Sequence, residues 1–250
     1  MPSDARKVAF HIARFDPQTD PGSRTDTFEV PVQDGWTVLD AIIYIKEQLD
    51  GTLGVRYSCR SGQCGSDGMV INGLSRLACK TRVVDLLARS ATVTVEPLRH
   101  LPVLRDLAVQ QDIFFAKQRA VERPGRWLQA DDLDLEPKTP ESEAARADAG
   151  DCISCQICTS VCPVEAADPL FVGPAALVRA FRLQTDGNGR WLSSSAGVLD
   201  GPHGAGDCTT SFHCTQACPQ GIAITWDIQQ LKNRAMRQQF RTGGERPAHV

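Results

Sequence analysis

The sequence lacks several features that would assign it to a function class at once. No run of 18 apolar residues occurs in its 250 residues, so no segment reads as a span of the bilayer. The opening MPSDARKVAF has no apolar core of the kind found in signal peptides, so nothing there marks export. Long basic runs are missing and the formal net charge is −3, which argues against a protein that holds nucleic acid by neutralising phosphates. Cysteine is absent between Cys79 and Cys152 and again between Cys162 and Cys208.

Elsewhere cysteine is abundant. Ten cysteines fall into three tight groups, which suits metal ligation better than disulfides joining distant segments. The hydrophobic fraction of 42% and charged fraction of 23% fit a globular protein, and the length allows one large domain or two ordinary ones.

The two halves differ in pattern. KVAFHIARF and DTFEVPV read as strands separated by a Pro/Gly turn region. In DGWTVLDAIIYIKEQL, Thr37 is a candidate N-cap with Asp40 three residues on, and Leu39, Ile42, Ile43 and Ile45 suit a helix packed on a sheet. Asn72-Gly73 between two apolar stretches predicts a hairpin, and ATVTVEP predicts a closing strand. Residues 105–121 read as a helix, 128–140 as an acidic linker and 141–150 as a helix ending at Gly150. Pro174 suits a first helical position, and a last helix follows Ile224 with Thr225 as a possible cap. The expected class is α+β: a sheet domain over residues 1–105, then a helical domain over 106–250.

The second cysteine group, CISCQICTSVCP, has Cys152, Cys155, Cys158 and Cys162 in the spacing C-x2-C-x2-C-x3-C-P, the run of bacterial-type ferredoxins. Two-residue spacers let a short loop present three thiolates to three corners of a cubane, while the fourth serves a neighbouring cluster. A structural zinc site would need neither the third cysteine nor the Cys-Pro. The third group, CTTSFHCTQACP, repeats the run with Cys208, Cys214 and Cys218, and Ser211 takes the place of the second cysteine. If the runs exchange last members, Cys152, Cys155, Cys158 and Cys218 hold a [4Fe-4S] cluster. Cys162, Cys208 and Cys214 are then left with three thiolates, which predicts [3Fe-4S]; the rival is [4Fe-4S] with a Ser211 oxygen ligand.

The first group, SCRSGQCGSDGMVINGLSRLAC, fits the plant-type spacing C-x4-C-x2-C…C, with Asp67 in the third place. Either Cys59, Cys64, Asp67 and Cys79 hold a [2Fe-2S] cluster with one oxygen ligand, or Asp67 is a turn residue and the cluster is absent. Glycines at 62, 65 and 68 favour the first, since they let backbone curl closely around a cluster. Ser66 is one residue out of register.

Three such groups in this order, with EPLRHLPVLRDL and FVGPAALVRAFR between them, resemble the iron-sulfur subunit of succinate dehydrogenase and fumarate reductase. Some members of that family carry Asp at the position of Asp67. The resemblance implies a plant-ferredoxin-like β-grasp domain followed by a helical bacterial-ferredoxin-like domain. It implies electron transfer through the three clusters, between FAD of a flavoprotein subunit and a quinone at a membrane anchor, with no substrate site of its own. It also implies a peripheral location on the cytoplasmic face of the membrane and no nucleic-acid partner.

Departures occur at the quinone end. Many ubiquinone-using members carry a tryptophan a few residues after the first Cys-Pro, where this chain has Val164, Glu165, Ala166, Ala167 and Asp168. Thr209 stands where a histidine often follows the first cysteine of the third group, and His213 is a candidate quinone or sulfide donor or a structural residue. Menaquinone, or an acceptor other than quinone, is compatible with these changes. Lys232, Arg234, Arg237 and Arg241 read as a solvated helix face favoured by the helix dipole, the sharper alternative being contact with anionic headgroups or an anchor.

Overall fold

The computed structural model describes residues 6–121, 144, 148–185, 199 and 201–241. The linker expected over 128–140 lies outside the described residues, as does most of the helix expected over 141–150, of which 144 and 148–150 are helical. Two compact units form: residues 1–111 with 153–161, and residues 112–152 with 162–250.

The first unit is built on a five-stranded sheet in the order β2-β1-β5-β3-β4. Strands β1 (Arg6–Arg14) and β2 (Arg24–Val32) pair antiparallel, and β1 alternates cleanly, burying Val8, Phe10 and Ile12. Helix α1 (Val38–Tyr44) follows, with the expected cap as a full capping box: Thr37 Oγ1 accepts from the Asp40 N–H at 3.3 Å while Asp40 Oδ2 accepts from the Thr37 N–H at 2.9 Å. Such a cap contributes about 1 kcal/mol. Leu39, Ile42, Ile43 and Ile45 are all buried, and the helix ends in a π turn, Ile45–Leu49. Strands β3 (Gly68–Ile71) and β4 (Leu74–Leu77) form the hairpin signalled by Asn72-Gly73, whose φ values of 47° and 80° satisfy a turn that needs both central residues left-handed. A 3-10 turn (Ala78–Lys80) and α2 (Val83–Leu87) lead to β5 (Val93–Glu96), which enters parallel to β1 and antiparallel to β3. A sheet of this order with α1 connecting its halves is the expected α+β, β-grasp arrangement.

The helix expected over 105–121 is corrected. Residues Val103–Arg105 and Ala108–Val109 are strands β6 and β7 of a tight hairpin, and α3 spans only Asp112–Ala120. Asp106 is the reason. It turns the chain at φ 47° and its buried carboxylate accepts from Arg14 Nε at 3.0 Å, the Phe15 N–H at 2.9 Å and the Gly54 N–H at 2.6 Å. A helix there would break all three.

The second unit holds α5 (Pro163–Ala167), α6 (Pro174–Thr185), a 3-10 turn (Ala205–Asp207), α7 (His213–Ala217) and α8 (Ile224–Arg241); α4 (Ile157–Ser160) belongs to the first unit. Helix α6 begins at Pro174 as expected and buries Ala175, Ala176, Leu177, Val178, Ala180 and Phe181. Ile224, Ile228 and Leu231 of α8 face inward at helical spacing, and Trp226 meets Phe181 edge-on at 5.7 Å. Thr225 is not the cap: it lies inside α8, where its N–H donates to Thr215 Oγ1 at 2.8 Å.

Candidate functional site

The first cysteine loop is shaped to hold an anionic sulfur. Arg60 at φ 56°, Gly62 at 78° and Gly65 at 68° turn successive N–H groups inward. Those of Ser61, Gln63 and Cys64 point at Cys59 Sγ from 3.4, 3.3 and 3.3 Å. The Ser61 contact leads in holding the Cys59 thiol down at about 6, so this sulfur is ready to ligate as thiolate. Cys64 Sγ lies 3.1 Å from Ser66 Oγ.

Asp67 is buried at the start of the hairpin. Its Oδ2 accepts from the Cys79 N–H at 2.6 Å, whereas Oδ1 is buried with no hydrogen-bond partner. Oδ2 sits on a backbone donor, as a turn residue's would, but Oδ1 does not, and a buried carboxylate oxygen left bare is a group prepared for a cation. Burial, then the Asp67 carboxylate, push the Cys79 thiol up to about 12, with Cys59 acting in the same direction. Cys59, Cys64, Asp67 and Cys79 thus converge on one place, and this set fits a [2Fe-2S] cluster with one oxygen ligand.

The second and third loops have one conformation. Left-handed residues stand two and four positions after the first cysteine of each run: Ser154 at φ 54° and Gln156 at 66°, then Thr210 at 59° and Phe212 at 62°. Each loop ends in a short helix, α4 or α7, and each run closes on Cys-Pro. Ser211 therefore matches Cys155 in backbone conformation of the loop as well as in spacing. Cys162, Cys208 and Cys214 come together in the second unit. Burial pushes the Cys162 and Cys214 thiols up, Cys214 acts on Cys162, and Cys208 acts on Cys214. The first-turn N–H groups of α5, from Val164 and Glu165, bond to Cys162 and lower it in part. Of the four cysteines expected to share the remaining cluster, Cys155 and Cys158 lie in the first unit and Cys152 and Cys218 in the second.

The loops are also fitted to their surroundings. A β-carbon on Gly65 would stand 2.7 Å from the Ile153 carbonyl oxygen and 2.8 Å from Cys155 Cβ. Within the first unit the [2Fe-2S]-type loop therefore lies against the cysteine run at 153–155.

Several contacts have no sequence signal. Thr225 Oγ1 sits 3.6 Å from Cys214 Sγ, and Lys232 Nζ donates to the Cys208 carbonyl at 2.6 Å, so Lys232 is not part of a merely solvated face. The side chains of Arg234, Arg237 and Arg241 lie outside the described residues. After the first Cys-Pro, where many ubiquinone-using members carry a tryptophan, Glu165 is buried and paired with Lys117 at 2.6 Å, and Asp168 holds His203 Nδ1 at 2.6 Å. His213 is exposed at the first position of α7, and Thr209 is exposed in the loop before it.

Comparison with known proteins identifies the domains that carry these loops. Residues 9–116 match the model of a 2Fe-2S iron-sulfur cluster binding domain, and residues 122–222 that of a 4Fe-4S dicluster domain. A fumarate reductase iron-sulfur subunit of Mycobacterium tuberculosis is 39% identical over 234 residues, covering 90% of this chain and 92% of its own. The chain belongs to the fumarate reductase/succinate dehydrogenase iron-sulfur subunit family. A succinate dehydrogenase iron-sulfur subunit of Coxiella burnetii is 31% identical over 234 residues, covering 92% of this chain and 98% of its own. A chain of the Mycobacterium smegmatis Sdh1 complex in the apo form superposes with a TM-score of 0.80 at 28% identity, over 98% of this iron-sulfur subunit and 100% of that chain. The family's [2Fe-2S] and [4Fe-4S] domains are thus both present here, in the order expected.

Proposed function

We propose that this iron-sulfur subunit carries electrons between FAD of a flavoprotein subunit and a quinone, of the menaquinone type, at a membrane anchor. Residues 1–105 form the [2Fe-2S] domain, with Cys59, Cys64, Asp67 and Cys79 as ligands. Residues 106–250 form the two-cluster domain, with Cys152, Cys155, Cys158 and Cys218 on [4Fe-4S] and Cys162, Cys208 and Cys214 on [3Fe-4S]. Bound there, the clusters supply one-electron redox centres. The chain's own residues do the rest: thiolates and one carboxylate fix the ligand sets, loop N–H groups stabilise anionic sulfur, and burial sets the local dielectric. No helix among the described residues is long and apolar enough to cross a membrane, so attachment to the cytoplasmic face falls to the anchor.

The bare, buried Oδ1 of Asp67 carries this reading, because it leaves the first ligand set complete without a fourth cysteine. The test is EPR-monitored redox titration of the purified complex with Asp67 variants. The wild type is expected to give three centres, and Asp67→Cys to keep the first with a changed line shape or potential. Zinc without acid-labile sulfide, or an Asp67→Ala protein whose [2Fe-2S] signal is unaltered, would overturn it. Ala166 and Ala167, exposed on α5 in the stretch where many ubiquinone-using members carry a tryptophan, favour a second reading in which the acceptor is not a quinone; full succinate:menaquinone activity would remove it.

A further inference from the structure

Asp227 is a side chain that the cluster ligation does not use and that its surroundings do not explain. It lies in the first turn of α8, is 1% exposed, and both of its carboxylate oxygens are buried with no hydrogen-bond partner. A helix N-terminus favours a carboxylate, yet neither oxygen reaches a free N–H. A carboxyl stripped of water and of donors keeps its proton instead of its charge.

Its neighbour is a second carboxyl. Asp148 Oδ2 accepts from the Ala223 N–H at 3.0 Å, which ties the helical residues 148–150 to the residues just before α8. Helix α8 packs on α6, on α7 and on the 3-10 turn at 205–207, which bring Arg179 and Arg182, His213, and Asp207 respectively. Among the described residues, Asp148 alone adds its charge to the effect of burial on Asp227. Asp148 is half-buried and gives the pair a way to water. Two residues before Asp227, Thr225 reaches the sulfur of Cys214 at 3.6 Å and bonds Thr215 Oγ1 at 2.8 Å. The first turn of α8 thus joins the carboxyl pair to a cluster ligand.

We propose that Asp148 and Asp227 form a proton-binding site coupled to electron arrival at the site of Cys162, Cys208 and Cys214. The inference rests on the ligand assignment proposed above. When one electron arrives there, supplied by the flavoprotein's reduced FAD, the pair takes up one solvent proton onto a carboxylate oxygen. When the electron leaves, the O–H bond breaks and the proton returns to water. The driving force is Coulombic: an added negative charge in a low-dielectric interior disfavours a second one on Asp227. Burial and then Asp148 hold the Asp227 carboxyl at about 7, so it can exchange a proton near neutrality.

The experiment is the midpoint potential of that centre, followed by EPR in the purified complex from pH 5.5 to 9. The wild-type potential is expected to be level on the acid side and to fall as pH rises above about 7. Asp227→Asn, which keeps the shape and cannot ionise, should make it level throughout. Asp148→Asn, which removes the charge that raises Asp227, should move the onset of the fall to lower pH, and it serves if the first variant folds poorly. A wild-type potential independent of pH, or a fall unchanged in both variants, overturns the proposal. Four irons at the site in place of three would overturn the ligand assignment alone, since the slope is read on whichever centre those cysteines hold. Infrared difference spectra give a second readout: reduction should raise a carboxylic C=O band that Asp227→Asn lacks.

Discussion

Gly68 lies so close to Cys155 that a β-carbon on it would stand 2.8 Å from the Cys155 carbonyl oxygen. The third glycine of the first cysteine loop therefore does more than let backbone curl. It is the point at which β3 and the second cysteine run touch within the first unit, and Gly65 repeats the contact three residues earlier. Gly68→Ala should cost about 1–3 kcal/mol through overpacking, since the neighbour is backbone and cannot swing away. A lowered unfolding temperature, together with a weakened magnetic interaction between the first two clusters, is the expected result; an unchanged thermal midpoint would mean the loops separate at no cost.

Ser211 and Cys155 occupy matching places in two loops of one conformation. On the proposed ligand assignment, Ser211→Cys should therefore add a fourth thiolate to Cys162, Cys208 and Cys214 and convert a three-iron centre there into a four-iron one. The oxidised-state EPR signal of the three-iron centre should disappear, and a signal in the reduced state should replace it. Persistence of the three-iron signal at full occupancy would mean that the Ser211 position faces away from the cluster.

Arg14 is buried and holds Asp106 at 3.0 Å, Asp50 at 2.6 Å and Asp26 at 3.0 Å. Arg14→Met would leave buried Asp106 with only the longer, half-exposed ion pair to Arg105 at 3.9 Å, a loss of about 3 kcal/mol visible in urea unfolding. The pH dependence has a definite sign. The Thr52 hydroxyl and then Arg14 hold the Asp50 carboxyl at about 2, below its ordinary value. A lowered folded-state value contributes stability that is present above about pH 4 and lost as pH falls toward 2. The stability gap between wild type and Asp50→Asn, about 1 kcal/mol for a partly exposed group, should accordingly shrink between pH 5 and pH 3.

Glu165, three residues after Cys162, is buried and pairs with the half-buried Lys117 at 2.6 Å. Burial raises the Glu165 carboxyl and Lys117 opposes that rise. Lys117→Met should destabilise the second unit by about 3–5 kcal/mol, and adding Glu165→Gln should restore much of the loss, because the unpaired charge is what costs. Thermal unfolding of the single and double variants checks this; equal loss in both would assign the effect to packing of the lysine stem.

Local chemistry made much of the protein readable in advance. The alternation in β1, the capping box at Thr37, the Asn72-Gly73 turn and Pro174 at the head of α6 each act over a few residues, so sequence alone determined them. The cysteine spacings are of the same kind: short spacers limit what a loop can wrap, and the family followed from their order. The helix expected from Arg105 gives way to the hairpin at 103–109, whose cause, the buried carboxylate of Asp106, is satisfied by Arg14, Phe15 and Gly54, which lie far away in the chain. The same holds for the bare oxygen of Asp67, for Thr225 against Cys214 and for the isolation of Asp227. Whether a carboxyl is hydrated, ligating or kept neutral depends on burial and on donors from distant segments, and only the tertiary structure decided that.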